Sequence, residues 1–146
     1  MKQQNYIKLE FLAKSVNEGF ARAAAAAFAA QLDPTLEELG DIRTAVSEAV
    51  TNAIVHAYPE TLGRVSMRLR IMDGNLLEIM VRDRGCGIPD VQRAMEPLFS
   101  TGGDDRSGMG FTIMQSFMDK LRVRSAPGKG TTVTMSKRIK VRNGFG

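Results

Sequence analysis

The sequence predicts an α+β fold: a two-layer sandwich whose largely antiparallel, mixed sheet carries its helices packed on one face. Three observations predict it. Hydrophobic periodicity reads in the order β-α-α-β-β-loop-α-β-β, with no internal repeat and no linker. The strand segments alternate apolar with polar residues, the pattern of half-buried strands. Turn signals join later strands in pairs, at Asp73, Gly74 and Asn75 and again at Pro127, Gly128, Lys129 and Gly130.

The elements follow in order. Asn5 to Ala13 sets Tyr6, Lys8 and Glu10 against Ile7, Leu9 and Phe11, a period of two. Ser15 stands as an N-cap with Glu18 three residues on, the spacing of a capping box. The helix it opens runs to about Leu32, with Val16, Phe20, Ala24, Phe28 and Leu32 as its buried stripe. Asp33 caps a second helix that starts at Pro34 and runs to about Ala57. Leu39, Ile42, Val46, Ala49, Val50, Ala53 and Ala57 form its apolar face. Strands at Arg64 to Met72 and Leu76 to Asp83 form a hairpin, the second strand being the more apolar and central. Arg84 to Gly108 is glycine-rich and irregular apart from a short helix near Asp90 to Ala94, and loops of that length are usually functional or disordered. A helix from about Met109 to Lys120 precedes strands at Leu121 to Ser125 and Thr131 to Ile139.

Composition narrows the class. A chain of 146 residues, 43% hydrophobic and 25% charged, reads as a single domain over 1–146. No apolar run approaches the ~20 residues of a membrane span. One cysteine and one histidine exclude an internal disulfide and make no structural zinc site, so the expected location is cytoplasmic, with no membrane partner. The net charge of +4 is uneven: residues 120 to 146 hold eight Lys or Arg and no Asp or Glu. This reads as a solvated basic C-terminal tail, most distinct over about 137–146, and not as a direct nucleic-acid contact.

Three motifs carry chemistry. Glu48, Asn52 and His56 recur at i, i+4 and i+8 on the second helix and share a face. A carboxylate and an amide one turn apart can hold Mg²⁺ directly or through water, although a solvated helix face has the same pattern. His56 alone is assigned no ligand role. Asp83, Gly85 and Gly87 form D-x-G-x-G at the end of an apolar strand. An aspartate there can accept a hydrogen bond from an exocyclic amine, and the glycines let backbone approach a flat ring. An ordinary tight turn reads the same way. Cys86 occupies the variable position of that turn, with no second cysteine and no activating base. Gly108, Met109 and Gly110 open a helix whose free N–H groups suit an anion, with Arg106 and Ser107 just before it. There is no P-loop; Gly128, Lys129 and Gly130 only approximate one.

In combination, and with Gly130 and Thr131 before the last strand, these motifs resemble the Bergerat-fold ATPases, the superfamily of gyrase, Hsp90, histidine kinases and MutL. Ser47 to Ile54 and Arg106 to Met114 sharpen this to a resemblance to the anti-sigma-F family of spore-forming bacteria, small serine kinases of sigma regulation. The resemblance implies ATP or ADP with Mg²⁺, and roles for the matching residues. Asn52 would ligate Mg²⁺, Glu48 would be the general base toward a serine hydroxyl, and Asp83 would bind the adenine amine. Gly85, Gly87 and Thr131 would shape the adenine pocket. A lid from about Leu98 to Ser107, including Ser100 and Thr101, would close over the phosphates. Arg106, Ser107, Gly108, Met109, Gly110 and Phe111 would bind them. Gly102, Gly103, Asp104 and Asp105 make that lid more acidic than a phosphate cover is expected to be. The implied partners are a sporulation sigma factor, a STAS-fold anti-anti-sigma protein as substrate, and a second copy of the chain. A nucleotide-gated binding module without catalysis, or a detached histidine-kinase catalytic domain, stands as the alternative.

Overall fold

Period-two alternation builds a five-stranded sheet in the order β1-β2-β3-β5-β4, in which every pairing is antiparallel. The computed structural model describes residues 2–58, 61–95 and 110–141. The strands are β1 (Gln3–Leu12), β2 (Arg64–Met72), β3 (Leu76–Asp83), β4 (Lys120–Ala126) and β5 (Gly130–Arg138). β2 and β3 match their predicted bounds residue for residue, and β3 is the central strand. Asp73, Gly74 and Asn75 join β2 to β3, and Gly74 (φ 80°) and Asn75 (φ 58°) supply the positive dihedrals that tight hairpin turns favour. β1 and β4 are the sheet edges.

The helices are α1 (Val16–Ala29), α2 (Leu36–Thr51), the short α3 (Val91–Ala94) and α4 (Gly110–Phe117). α1 and α4 both pack against α2, and the core lies between this layer and one sheet face. Ile42, Val46 and Val50 of α2 meet Met67, Leu69, Leu77, Ile79 and Met135 there, all at most 1% exposed. Burying residues of this size contributes about 1.5–3 kcal/mol each.

Three local expectations are corrected. Ser15 has helical dihedrals and its side chain makes no capping bond. Glu18 instead accepts from the Ser47 hydroxyl at 2.9 Å and pairs with Arg22, so α1 is tied to α2 in place of its own start. The buried stripe of α1 is Ala21, Ala25, Phe28 and Ala29, while Val16 is 78% and Phe20 63% exposed. Alanine at every position from 23 to 27 left the periodicity flat, and the small side chains face α2 because they let two helices approach closely. Thr35, not Asp33, caps α2. Its Oγ1 accepts from Glu38 N at 3.0 Å, and Glu38 Oε1 accepts from Thr35 N at 2.9 Å. Asp33 ends the preceding 3₁₀ turn Ala30–Leu32 in the left-handed region, which aspartate tolerates.

Much of the basic C-terminal segment lies in the last two strands, both of them predicted, and in the turn between them, where Lys120, Arg122, Arg124 and Lys129 are exposed to solvent. Residues 120 to 138 form β4 and β5 with the turn between them. Their charged side chains project from the sheet.

Candidate nucleotide site

α2 does not end as an ordinary helix. After Thr51 the chain widens into a π turn, Asn52–His56. Such bulges recur at functional sites because they re-aim side chains within a continuous helix. Glu48 and Asn52 remain one turn apart, and α4 begins against both. A Cβ built on Gly110 would lie 3.3 Å from Asn52 Nδ2 and 3.4 Å from Glu48 Oε2. The carboxylate, the amide and the first residue of α4 therefore meet at one point.

The second part of the site hangs from β3. Asp83 is 6% exposed, and its Oδ1 accepts from Gly85 N at 2.9 Å and from Thr131 N at 3.2 Å. Oδ2 has no hydrogen bond among the described residues. Burial pushes the Asp83 carboxyl above its ordinary value, and the two N–H bonds offset this only in part. The turn after it is wedged between two other elements. A Cβ on Gly85 would fall 2.1 Å from Ala57 O, the carbonyl that also accepts from Cys86 N at 2.8 Å. A Cβ on Gly87, whose φ is 77°, would fall 2.0 Å from Ala126 O. Backbone approach of this kind excludes every side chain. Ser125 Oγ completes the clamp: it accepts from Ile88 N at 2.7 Å and lies 2.8 Å from Thr131 Oγ1.

A cavity of about 340 Å³ opens between these parts. Ala49, Ala53, Val81, Ile88, Phe111 and Val133 give it apolar walls; Asn52, Asp83 and Thr131 are polar groups at its lining. An apolar slot with one fixed carboxylate oxygen and a few convergent polar groups suits a flat heteroaromatic ring that carries an amine. Among the described residues, no group of three His, Cys, Asp or Glu can hold a metal. A magnesium ion on Asn52 would therefore take its other ligands from phosphate and water, which is that ion's habit.

The structure brings Glu48, Asn52, Asp83, Gly85, Gly87, Gly110, Phe111 and Thr131 to one place. Ser100, Thr101, Arg106, Ser107, Gly108, Met109 and the anticipated lid lie outside the described residues. His56, given no ligand role, lines the cavity, and its carbonyl lies 3.3 Å from Cys86 Sγ. Sequence reasoning missed the cavity walls Ala49 and Ala53, although each follows Glu48 and Asn52 by one residue and so borders their face. It also missed Tyr58, whose hydroxyl donates to Arg64 O at 2.8 Å and accepts from Arg84 N at 2.7 Å. No spacing signal marks Tyr58 or Ser125, since both act across a sequence separation that only the fold closes.

Comparison with known proteins agrees with this geometry. Residues 11–137 match the histidine kinase-like ATPase domain. The anti-sigma F factor of Caldanaerobacter subterraneus subsp. tengcongensis is 58% identical over 140 residues, covering 95% of this chain and 97% of that one. The anti-sigma F factor of Clostridium acetobutylicum is 52% identical, covering 93% and 95%. The RsbU and RsbW domains of Rv1364c from Mycobacterium tuberculosis share the fold, with a TM-score of 0.67 at 18% identity over 93% of this chain and 32% of that one. Among the described residues, no helix is long and apolar enough to cross a membrane. On the cavity, its residues and these matches, the chain belongs to the anti-sigma F factor family and carries that family's histidine kinase-like ATPase domain.

Proposed function

We propose that this chain sequesters a sporulation sigma factor in the cytoplasm and, as an ATP-dependent serine kinase, phosphorylates a STAS-fold anti-anti-sigma protein that opposes it. The observation that carries the reading is Asp83: Oδ1 is held by two backbone N–H groups while Oδ2 stays open at an apolar cavity beside Glu48 and Asn52. Adenine fits that slot with its amine toward Oδ2. The phosphates then extend toward Gly110, where Asn52 would hold Mg²⁺. That ion would supply charge neutralisation at the transferring group. Ser100, Thr101, Arg106, Ser107, Gly108, Met109 and Phe111 are assigned to the phosphate side and its lid on the family resemblance.

Glu48 is proposed as the base. The substrate serine Oγ–H proton passes to its carboxylate as the Oγ–Pγ bond forms. The bond from Pγ to the β,γ-bridging oxygen breaks, and ADP leaves. Phosphoryl transfer asks mainly for positioning and charge stabilisation, so a cavity that fixes the base at one end and the ring at the other is adequate. The whole chain, residues 1–146, acts as one domain. It pairs with a second copy, and the exposed edge strand β1 is the proposed contact. A monomeric mass by light scattering at micromolar concentration overturns the dimer.

The kinase reading is tested by mixing the purified chain with Mg²⁺, γ-labelled ATP and the candidate STAS protein, beside Glu48→Gln. Acid-stable label on the substrate, lost with the variant, is expected. Nucleotide binding without transfer would leave a nucleotide-gated binder instead. Acid-labile label would indicate a histidine kinase.

A further inference from the structure

The sheet face turned away from the helices is strongly cationic, and its charge is organised. Along β5 the outward residues are Thr132, Thr134 and Ser136. Each lies between one residue of β3 and one of β4: Thr132 between Arg82 and Arg124, Thr134 between Met80 and Arg122, Ser136 between Glu78 and Lys120. The hydroxyl residues are half-buried, whereas Arg82, Lys120, Arg122 and Arg124 are exposed. Short side chains on the middle strand and long ones on its neighbours make a trough, with walls about 10 Å apart at two strand spacings. A depression of about 410 Å³ lies within it, its polar lining being Glu78, Lys120, Arg122, Thr134 and Ser136.

Among the described residues, Arg82, Lys120, Arg122 and Arg124 make no ion pair, and the side chains of Thr132, Thr134 and Ser136 make no hydrogen bond. Glu78 shows how this face takes a carboxylate: one oxygen meets Arg70 at 2.6 Å and Arg68 at 3.5 Å. Among the described residues the other cations have no such partner.

We propose that this trough is a docking groove for an extended, acidic segment of a partner protein. The charge pattern selects the occupant. Two cations flank Thr132, one flanks Thr134, and at Ser136 Lys120 stands across from Glu78, whose carboxylate is already held by Arg68 and Arg70. A segment with carboxylates at alternate positions complements that row of unpaired cations. Alternate side chains of an extended chain recur every ~6.6–6.8 Å, the same repeat as Arg122 and Arg124. Arginine adds paired N–H donors matched to carboxylates, and the floor hydroxyls add donors between them. A nucleic-acid strand is the poorer match. No aromatic side chain lines the trough for base stacking, the contact that single strands use beside their phosphates. The groove is on the opposite side of the sheet from the nucleotide cavity, and it does not depend on the kinase reading.

The test uses the full chain and fluorescence anisotropy with three labelled probes: an octapeptide of alternating glutamate and valine, its lysine and valine counterpart, and an eight-nucleotide thymidine strand. The acidic peptide is expected to bind at low salt and the basic one not. Arg122→Glu with Arg124→Glu should weaken the acidic peptide by about tenfold or more, the worth of two exposed ion pairs turned to repulsion. ADP affinity should stay unchanged, which reports an intact fold; Arg122→Gln with Arg124→Gln should give a smaller loss. Arg43→Glu, exposed on α2 on the other side of the sheet, should change the Kd by less than about twofold. Absence of acidic-peptide binding, equal loss from Arg43→Glu, or an unchanged Kd in both double variants would overturn the groove. Tighter binding of the thymidine strand than of the acidic peptide would overturn its occupant.

Discussion

At the Asp83 end of the cavity the decisive contacts run from backbone to backbone; at the Glu48 end two side chains stand against one glycine. Gly85 and Gly87 are pressed onto the carbonyls of Ala57 and Ala126, and Asp83 is held by the N–H groups of Gly85 and Thr131. These contacts join the end of α2, the end of β3 and the β4–β5 turn. Glu48 and Asn52 project from a helix that stands whether or not their functional atoms are present. Recognition at the first end is therefore inseparable from the fold. Chemistry at the second end can be removed without disturbing it.

The largest expected effect follows from that separability. Glu48→Gln keeps size and shape but removes the proton acceptor, and loss of general-base catalysis costs about 10²–10⁴-fold in rate. ADP affinity by calorimetry should be unchanged. A variant with full transfer rate would assign the proton to another group. At the opposite end, Gly85→Ala should destabilise the whole chain by about 3 kcal/mol, the upper range for overpacking, because the atom it strikes is backbone. Denaturant unfolding measures this, and a midpoint within error of the parent chain would show that the turn is looser than its contacts imply.

Asp83→Asn should have the next smaller effect. The amide oxygen can keep both N–H bonds, while the oxygen offered to the cavity becomes a donor. Nucleotide binding should weaken by about 1.5–3 kcal/mol, the worth of a hydrogen bond to a charged group. Unchanged ADP affinity would remove Asp83 from the adenine contact. The apo protein should respond in the other direction. The carboxyl is raised by burial, against the pull of the Gly85 and Thr131 N–H groups. Its contribution to folding is thus fully present below its unfolded value and lost as pH rises through the folded one. Asparagine carries no such loss. The variant's apo melting temperature relative to the parent should be higher at neutral pH than in the acid range below both carboxyl values. An offset independent of pH would contradict the direction of the shift.

Much of this was legible in the sequence, and the reasons are local. β2 and β3 alternate cleanly because one of their faces is core and the other solvent, so periodicity locates both ends. D-x-G-x-G was legible because only glycine fits where Ala57 O and Ala126 O press on the chain. The face of α1 was not, since a run of alanines has no moment to read. The π turn was not either: nothing in Asn52 to His56 distinguishes one added residue per turn, and contacts at Ala57 with Gly85 and Cys86 form across the fold. The last two strands were legible as strands, but the neighbours of their charges were not. Charges alternate with Leu121 and Val123 on β4 and hydroxyl residues with Val133 and Met135 on β5, but what stands beside them depends on β3 being the neighbour of β5.

The smallest expected effect concerns the far start of α2, which positions the Glu48 end without touching it. Thr35→Ala removes one half of the capping box and should cost about 1 kcal/mol of stability, within the usual range for a lost N-cap. ADP affinity and transfer rate should both hold, because α2 is anchored along its length by Ile42, Val46 and Val50. The reciprocal half titrates. Burial works to raise Glu38, but the backbone N–H groups of Thr35 and Lys140, the Thr35 hydroxyl and the charge of Lys137 outweigh it and leave the carboxyl below its ordinary value. Its contribution is therefore present above the unfolded carboxyl value and fades as pH falls through the folded one. Glu38→Gln should flatten that part of the acid limb of the stability curve, where Asp83→Asn acts with the opposite sign. If Thr35→Ala weakened ADP binding as much as Asp83→Asn does, the helix carrying Glu48 and Asn52 would be set by its cap and not by the core beneath it, and the two ends of the cavity would not be independent.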